Sequence, residues 1–246
     1  MPLWQYIGSM FFALFHGLAG RLPSRCAVCH AWPGQPVCEA CIDLFAQPKP
    51  RCRRCALVVA DAAAPCTACR STQKDGSPLD ASLAAVSYGY PWAGLVQEFK
   101  FREHPAWARS MALLMRSAPW VEPALDAADW VLPMPLSTPR LQSRGFNQSW
   151  LLAQALSPAK ARPQWLLRIR DTPAQSSLAR KERLSNVANA FAIDPLRQRD
   201  LEGKKVLLVD DVMTSGASLR AAALPLRQAG VRQITALVFA RAESTG

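Results

Sequence analysis

Two adjacent carboxylates, Asp210 and Asp211, end an apolar run that follows two lysines, and small hydroxyl residues come directly after them. A run of this kind predicts that Lys205–Val209 is a central strand of a parallel sheet, buried on both faces. Ligands of open α/β sheets bind at the carboxyl ends of such strands. The following stretch, Thr214–Ser218, can bring backbone N–H groups and hydroxyls to a phosphate at the start of a helix. Carboxylates beside this anion site suit ribose hydroxyls or a hydrated Mg²⁺.

The eight cysteines form a second chemical feature, because all of them belong to CxxC pairs between Cys26 and Cys69. Thiolates at this spacing indicate metal ligands rather than disulfides, and therefore a reducing compartment. Two pairs make a tetrahedral Cys₄ site that suits Zn²⁺, so we expect two structural zinc sites. An iron–sulfur cluster and redox dithiols are the alternatives, and an interleaved pairing stays open. Pairing in sequence order groups the ligands as Cys26, Cys29, Cys38 and Cys41, then Cys52, Cys55, Cys66 and Cys69.

Composition bounds the class of protein. The chain has 246 residues, of which 50% are hydrophobic, which is enough for a packed core and argues against global disorder. The net charge of +11 favours polyanionic partners such as phosphorylated small molecules, nucleic acid or anionic lipid, although genome base content alone can also produce it. Arg51, Arg53 and Arg54 lie on one CxxC turn and favour an anion contact there. Neither GxxxxGK[ST] nor GxGxxG occurs, so ATPase and dinucleotide-binding functions lose support.

An apolar, helix-like segment precedes the cysteines, at Trp4–Ala19. No Lys or Arg precedes Arg21, which argues against a signal peptide, and the segment is shorter than the about 20 residues of a bilayer span. We expect a helix docked on the protein body, with a segment that lies on or inserts into a membrane surface as the alternative. The expectation is a cytoplasmic protein without a transmembrane span.

The remaining pattern must position the Asp210–Ser218 site. Apolar runs alternate with segments of helical spacing, which predicts an α/β fold with a mainly parallel sheet. We expect strands at Ala84–Tyr90, Asp129–Met134, Trp165–Ile169, Lys205–Val209 and Ile234–Ala240, and helices at Pro91–Arg102, Ala106–Arg116, Phe146–Leu156, Glu182–Asn189 and Ser218–Ala229.

Three further segments complete a family pattern when they are taken with the CxxC series and with Val206–Leu219. They are Phe99–Arg102 (FKFR), Val131–Leu136 (VLPMPL) followed by Arg140 and Arg144–Gln148 (RGFNQ), and Arg168–Asn189 followed by Phe191. Over nearly its full length the chain resembles the ComF family of competence protein F-like proteins. Val206–Leu219 resembles the phosphoribosyl-pyrophosphate (PRPP) motif of type I phosphoribosyltransferases.

The resemblance implies a domain organisation and a site. It implies an N-terminal apolar helix over 1–24, a double zinc ribbon over 25–72 and a domain of the type I phosphoribosyltransferase fold, a parallel sheet flanked by helices, over 79–246. Asp210 and Asp211 would bind the ribose hydroxyls of PRPP, with Arg144 as a further catalytic residue. The 5′-phosphate would lie against Thr214, Ser215, Gly216, Ala217 and Ser218. Candidates for the pyrophosphate are Lys100, Pro133, Arg140, Asn147, Gln148, Gln175 and Arg183. Pro133 would lie in a tight turn where a cis proline is an option, and Arg140 and Arg144 would follow on a loop.

The implied activity is transfer of a phosphoribosyl group from PRPP to an acceptor, with release of pyrophosphate and with Mg²⁺ bridging the pyrophosphate and the ribose hydroxyls. The family resemblance links it to DNA uptake in natural transformation, with single-stranded DNA and DNA-uptake proteins as partners. A non-catalytic protein that binds single-stranded DNA or a nucleotide is the alternative. A ligand-sensing regulator on the same fold is a third and weaker one.

Overall fold

The computed structural model describes residues 25–32, 35–71, 76–101, 105–170 and 189–243. The chain divides into two compact units, Met1–Phe45 and Ala46–Gly246. The expected N-terminal helix and the expected helix Glu182–Asn189 therefore lie outside the described residues, the last residue of the second excepted. Among the helices of the described segments, none combines the length and the apolarity that crossing a bilayer requires.

Helices and strands alternate through most of the second unit. The strands are Ala81–Ser87 (β1), Trp130–Pro133 (β2), Leu166–Arg168 (β3), Phe191–Ile193 (β4), Lys205–Met213 (β5) and Gln233–Arg241 (β6). The helices are Glu39–Phe45 (α1), Thr67–Ser71 (α2), Trp92–Phe101 (α3), Trp107–Ser117 (α4), Val121–Ala127 (α5), Thr138–Arg144 (α6), Gln148–Leu156 (α7), Gln198–Leu201 (α8) and Ala217–Gln228 (α9), with a 3₁₀ turn at Pro195–Arg197.

The sheet that positions the site is parallel throughout and has the strand order β1-β6-β5-β2. β5 is an inner strand, and Val206, Leu207, Leu208 and Val209 are each at most 2% exposed. Burial of this extent on both faces is what an uninterrupted apolar run predicts. The predicted α/β fold, with a parallel sheet flanked by helices and a cysteine-rich region before it, is confirmed. β3 and β4 form a separate antiparallel pair.

Six of the described helices and strands were not expected: α1, α2, α5, α6, α8 and β4. The expectation that Arg140 and Arg144 lie on a loop is wrong, because both belong to α6. This short helix has no apolar period that the sequence could show. Its bounds are set by Pro139 near its start and by Gly145, with φ +73°, at its end. The cis-proline option for the turn after β2 is also wrong. Pro133 pairs within the sheet instead, and the cis bond of the described chain joins Tyr90 and Pro91.

Each cysteine region contains a short helix that begins directly after its third cysteine. These helices are α1 after Cys38 and α2 after Cys66. Both are too short for an apolar period to be visible in the sequence, so no helix was predicted there. The CxxC turns before these helices have the same hydrogen bond in both regions. His30 N–H donates to Cys26 O (2.9 Å) in the first, and Ala56 N–H donates to Cys52 O (2.8 Å) in the second.

Candidate functional site

The two carboxylates lie within β5, because this strand continues to Met213 and pairs with β6 along its whole length. Asp210 is half-buried and Asp211 is 6% exposed. Burying two adjacent carboxylates costs free energy of folding unless they are hydrogen-bonded or paired with a positive charge. The neighbouring helices supply those partners.

Asp210 is held from α7 and from its own backbone. Ser149 Oγ donates to Asp210 Oδ1 (2.8 Å), and Asp211 N–H donates to the same oxygen (2.9 Å). Ser149 lies in the first turn of α7, where Asn147 Oδ1 accepts from the N–H groups of Ser149 and Trp150 and caps the helix. Burial first and the charge of Asp211 second raise the pKa of Asp210 to about 7, although Ser149 and Lys100 lower it in part.

This raised pKa predicts how Asp210 affects stability. The folded chain holds the proton more tightly than the unfolded chain, where the pKa is about 3.9, so this carboxyl destabilises the fold progressively as pH rises from about 4 to 7. Asp210→Asn is expected to raise the melting temperature at pH 8 by roughly 2–4 °C, or about 1 kcal/mol. Thermal unfolding of both proteins between pH 5 and 8 measures the difference. A difference that stays constant with pH would contradict the assignment.

Asp211 forms an ion pair with α3. Lys100 Nζ lies 3.0 Å from Asp211 Oδ1, and the lysine side chain is 21% exposed. Gln148 Nε2 donates to Lys100 O (3.5 Å), and Arg144 Nη1 donates to Gln148 Oε1 (3.2 Å). Four residues predicted separately for the site are thus joined by contacts that run from the end of α6 to β5.

The loop after β5 turns at a glycine. Gly216 has φ +73°, a backbone conformation that strains other residues, and a Cβ added there would meet Met213 Cε at 2.4 Å. Ser215 Oγ accepts from Ala217 N–H (3.3 Å), and Arg220 Nη2 donates to Ser215 O (3.0 Å). The N–H groups at the start of α9 follow this turn, as in helix-terminal anion sites.

The expected pyrophosphate residues are only partly brought together. Met134 N–H donates to Val209 O (2.9 Å), so the Pro133–Pro135 run has no free backbone donor, since prolines have none. Asn147 Nδ2 donates to Met134 O (3.0 Å), which ties this turn to α7. Arg140 is half-buried on α6. Gln175 and Arg183 lie outside the described residues.

The cysteines form two clusters in sequence order, Cys26, Cys29, Cys38 and Cys41, then Cys52, Cys55, Cys66 and Cys69. Within each cluster the four sulfurs lie within 4.8 Å of one another. A tetrahedral metal with bonds of about 2.3 Å to sulfur has S–S edges of about 3.8 Å. The distances of 3.8 Å between Cys26 Sγ and Cys41 Sγ and 3.6 Å between Cys55 Sγ and Cys66 Sγ fit that geometry.

Electrostatics in both clusters favours a bound cation. Burial opposes ionisation of Cys26 and of Cys52, but backbone N–H groups donated to each sulfur outweigh it and lower the pKa of these thiols to about 6 and about 7. Burial first, and the neighbouring sulfurs next, raise the pKa of Cys41 to about 12 and of Cys55 to about 11. A thiolate therefore forms more readily at Cys26 and Cys52 than at Cys41 and Cys55, and a bound cation would stabilise thiolates in either cluster.

Two contact residues of the site were missed. Neither Ser149, which donates to Asp210, nor Arg220, which donates to Ser215 O, was among the predicted site residues. The signal for Ser149 was its position directly after the RGFNQ segment, and for Arg220 its place one turn into the helix that follows Gly216. Arg51, expected to contact an anion, instead donates to Ala56 O (3.0 Å) and Ser87 Oγ (3.2 Å).

Several known proteins are similar to this chain. A model of the phosphoribosyl transferase domain matches residues 168–246. The chain is 31% identical to Competence protein F of Haemophilus influenzae over 188 residues, which are 71% of this chain and 78% of the relative. It is 30% identical to DNA utilization protein YhgH of Escherichia coli K12 over 208 residues, 80% and 88% of the two chains. Competence protein ComFC of Bacillus subtilis is 36% identical over 100 residues, 41% and 39%. The first two alignments extend well beyond the phosphoribosyl transferase domain.

Proposed function

Because this chain belongs to the ComF family, we propose that its α/β domain binds PRPP with Mg²⁺ and transfers the phosphoribosyl group to an acceptor in the handling of imported DNA. The observation that carries the proposal is the end of β5, where Asp210 and Asp211 stand directly before the Gly216 turn and the start of α9. The carboxylates that would accept hydrogen bonds from the ribose hydroxyls come first along the chain. The N–H groups that would donate to the 5′-phosphate follow them, at the start of α9.

In the proposed complex the carboxylates of Asp210 and Asp211 accept hydrogen bonds from the ribose hydroxyls, and Thr214–Ser218 bind the 5′-phosphate. The bond between ribose C1 and the pyrophosphate oxygen breaks with its electron pair leaving on oxygen, while the acceptor bonds to C1 and loses a proton. Mg²⁺, when bound, supplies positive charge to the pyrophosphate and the ribose oxygens. Lys100 and Arg144, joined through Gln148, stabilise the charge on the leaving pyrophosphate.

We further propose that both cysteine clusters hold Zn²⁺ in structural sites. Four sulfurs leave no open coordination position for a substrate. The sulfur distances and the N–H groups donated to Cys26 and Cys52 support this assignment. By the same reasoning a reducing, cytoplasmic setting is proposed, since thiolate zinc sites persist there.

The second candidate function is binding of single-stranded DNA without transfer. Arg53 and Arg54 favour it, because both are exposed on the CxxC turn of the second cluster, and the net charge of the chain is +11. In this alternative, the Asp210–Ser218 site holds a nucleotide or a phosphate only. DNA-uptake proteins would then be the partners that deliver the strand.

Calorimetric titration of PRPP into the full chain, with and without Mg²⁺, tests the first proposal. We expect Mg²⁺-dependent binding, and the absence of any binding would overturn it. A parallel titration with oligo-dT, repeated at several salt concentrations, tests the second candidate, whose affinity should fall steeply with salt. A screen for pyrophosphate release with purines, pyrimidines, ammonia and single-stranded DNA then decides between transfer and binding alone.

Gly216→Ala is expected to weaken PRPP binding about tenfold. The left-handed backbone of residue 216 costs a non-glycine residue roughly 1–2 kcal/mol, and the added Cβ would press on the buried Met213 side chain. Gly203→Ala is the matched control, because Gly203 has φ +69° with nothing within 4 Å of an added Cβ. Gly203→Ala should lose only the stability that the backbone conformation costs, Gly216→Ala should lose somewhat more, and only Gly216→Ala should lose affinity. Equal affinities in a calorimetric titration would contradict this role of the loop.

A further inference from the structure

The second cysteine cluster is built into the α/β unit. Ser82 of β1 donates through its N–H to Arg53 O (2.7 Å) and through its hydroxyl to Arg54 O (2.9 Å). Ala56 has no exposed surface and belongs to the hydrophobic core that also contains Met213 and Leu219, and Cys55 packs against that core. The turn that carries two of the four sulfurs is therefore part of the same packing as the strand that carries the acids.

Arg241, the last residue of β6, connects this turn to the end of β5. Its side chain is buried, with the residue 5% exposed. Arg241 Nε donates to Cys55 O (2.6 Å), and Arg241 Nη1 donates to Met213 O (3.1 Å) and also to Ala242 O. One planar guanidinium thus joins the backbone of a metal-ligating residue to the residue that precedes Thr214.

Met213 fixes the start of the phosphate loop, which we define as residues 214–218. The Met213 carbonyl already accepts a hydrogen bond from Ala242 N–H (2.9 Å), so it has a partner even without Arg241. The hydrogen bond from Arg241 therefore serves as a link to the cysteine cluster. The Met213 side chain occupies the space that a Cβ at Gly216 would need. A shift of Cys55 that pulled Arg241 would therefore move the residue against which the loop turns.

We propose that Arg241 is a positioning residue that couples metal occupancy of the second cysteine cluster to the conformation of the phosphate loop and to its affinity for PRPP. The affinity part rests on the proposed PRPP function, and the conformational part does not. Coupling of this kind is reciprocal, so metal should tighten PRPP binding and PRPP should tighten metal binding by the same factor. Lysine cannot replace arginine here, because one ammonium lacks the fixed fork that reaches two carbonyls.

Hydrogen exchange of the loop amides in the full chain tests the conformational part without any ligand. We expect exchange at residues 214–218 to be at least about tenfold faster in Arg241→Met, in Arg241→Lys and in Cys66→Ser, which breaks the second cluster, than in the wild type. Cys38→Ser, the matched change in the first cluster, should leave the loop unchanged. Wild-type exchange in the Arg241 variants, or equal effects of the two cysteine changes, would overturn the proposal. Arg241→Lys keeps the charge and guards against a failure of Arg241→Met to fold.

Metal titration with Co²⁺, followed by its thiolate absorption in the Cys38→Ser background, tests the reciprocal part. Saturating PRPP is expected to tighten Co²⁺ binding at the remaining second cluster about tenfold, and Arg241→Lys is expected to abolish that effect. If Arg241 has only a structural role, the ratio of Co²⁺ affinities with and without PRPP will be the same in Arg241→Lys as in the wild type. That result would refute the coupling. If the wild type does not bind PRPP at all, the proposed function fails, while the hydrogen-exchange result still decides whether cluster and loop are linked.

Discussion

The double variant Asp210→Asn, Asp211→Asn is expected to bind PRPP at least 100-fold more weakly than the wild type while it keeps its fold. Hydrogen bonds to charged groups contribute about 1.5–3 kcal/mol each, so two of them amount to roughly 10²–10⁴ in affinity at 1.4 kcal/mol per factor of ten. Asparagine retains an oxygen that can accept the bonds from Ser149 Oγ and from Asp211 N–H, which supports the local geometry at residue 210. Lys100, which loses its ion-pair partner, is 21% exposed and can reach solvent.

Calorimetric titration of PRPP with Mg²⁺ measures this loss, and thermal unfolding checks that the fold remains. The matched control is Asp200→Asn, which removes a carboxylate from an exterior ion pair with Arg197 and should leave affinity unchanged. The prediction for Asp210→Asn makes the comparison sharper, because that change should stabilise the fold at pH 8. A weakly binding variant that melts no lower than the wild type cannot owe its loss to unfolding. An affinity within threefold of the wild type would show that the acids do not contact the ribose.

The central strand was the part of the fold most accessible from sequence. The run Val206–Val209 is apolar because both faces of the strand are covered, which is typical of a central strand in a parallel sheet. The strand nevertheless continues to Met213, with both acids in the sheet. Asp210 and Asp211 ended the predicted strand because acids are rare inside sheets, and here their partners come from α3 and α7, which a local pattern does not contain.

Most features of the site that the sequence did not predict are contacts between segments that are distant in the chain. Lys100 and Asp211 are far apart in the chain, and only the tertiary fold, which brings the end of α3 to the acids of β5, makes them an ion pair. Arg241 is a further example. The last strand was expected to end at Ala240, and nothing in the neighbouring residues indicated that the next side chain would be buried against Cys55. Motifs identified the groups that do chemistry, and tertiary structure decided which of them touch.

The two cysteine clusters look equivalent in sequence and differ in their surroundings. Each combines a CxxC turn with a CxxC at the start of a short helix, α1 in one and α2 in the other. The first cluster lies in the unit Met1–Phe45, and the second lies in the unit that contains the sheet. Ala56 of the second cluster is fully buried in the sheet's core, and its neighbour Cys55 is bonded to Arg241. Loss of metal should therefore have unequal consequences.

Cys66→Ser is expected to lower the melting temperature of the α/β unit by roughly 6–12 °C, or about 3 kcal/mol, whereas Cys38→Ser should change it by less than about 2 °C. The two residues are matched, because both are half-buried third cysteines that precede a short helix. Zinc content by mass spectrometry should be two per chain in the wild type and one in each variant, which confirms that each change removes one metal. Scanning calorimetry then separates the effects. Equal shifts would mean that the turn from Cys52 to Ala56 keeps its place without its metal, held by the burial of Ala56 and by the hydrogen bonds from Ser82 and Arg241.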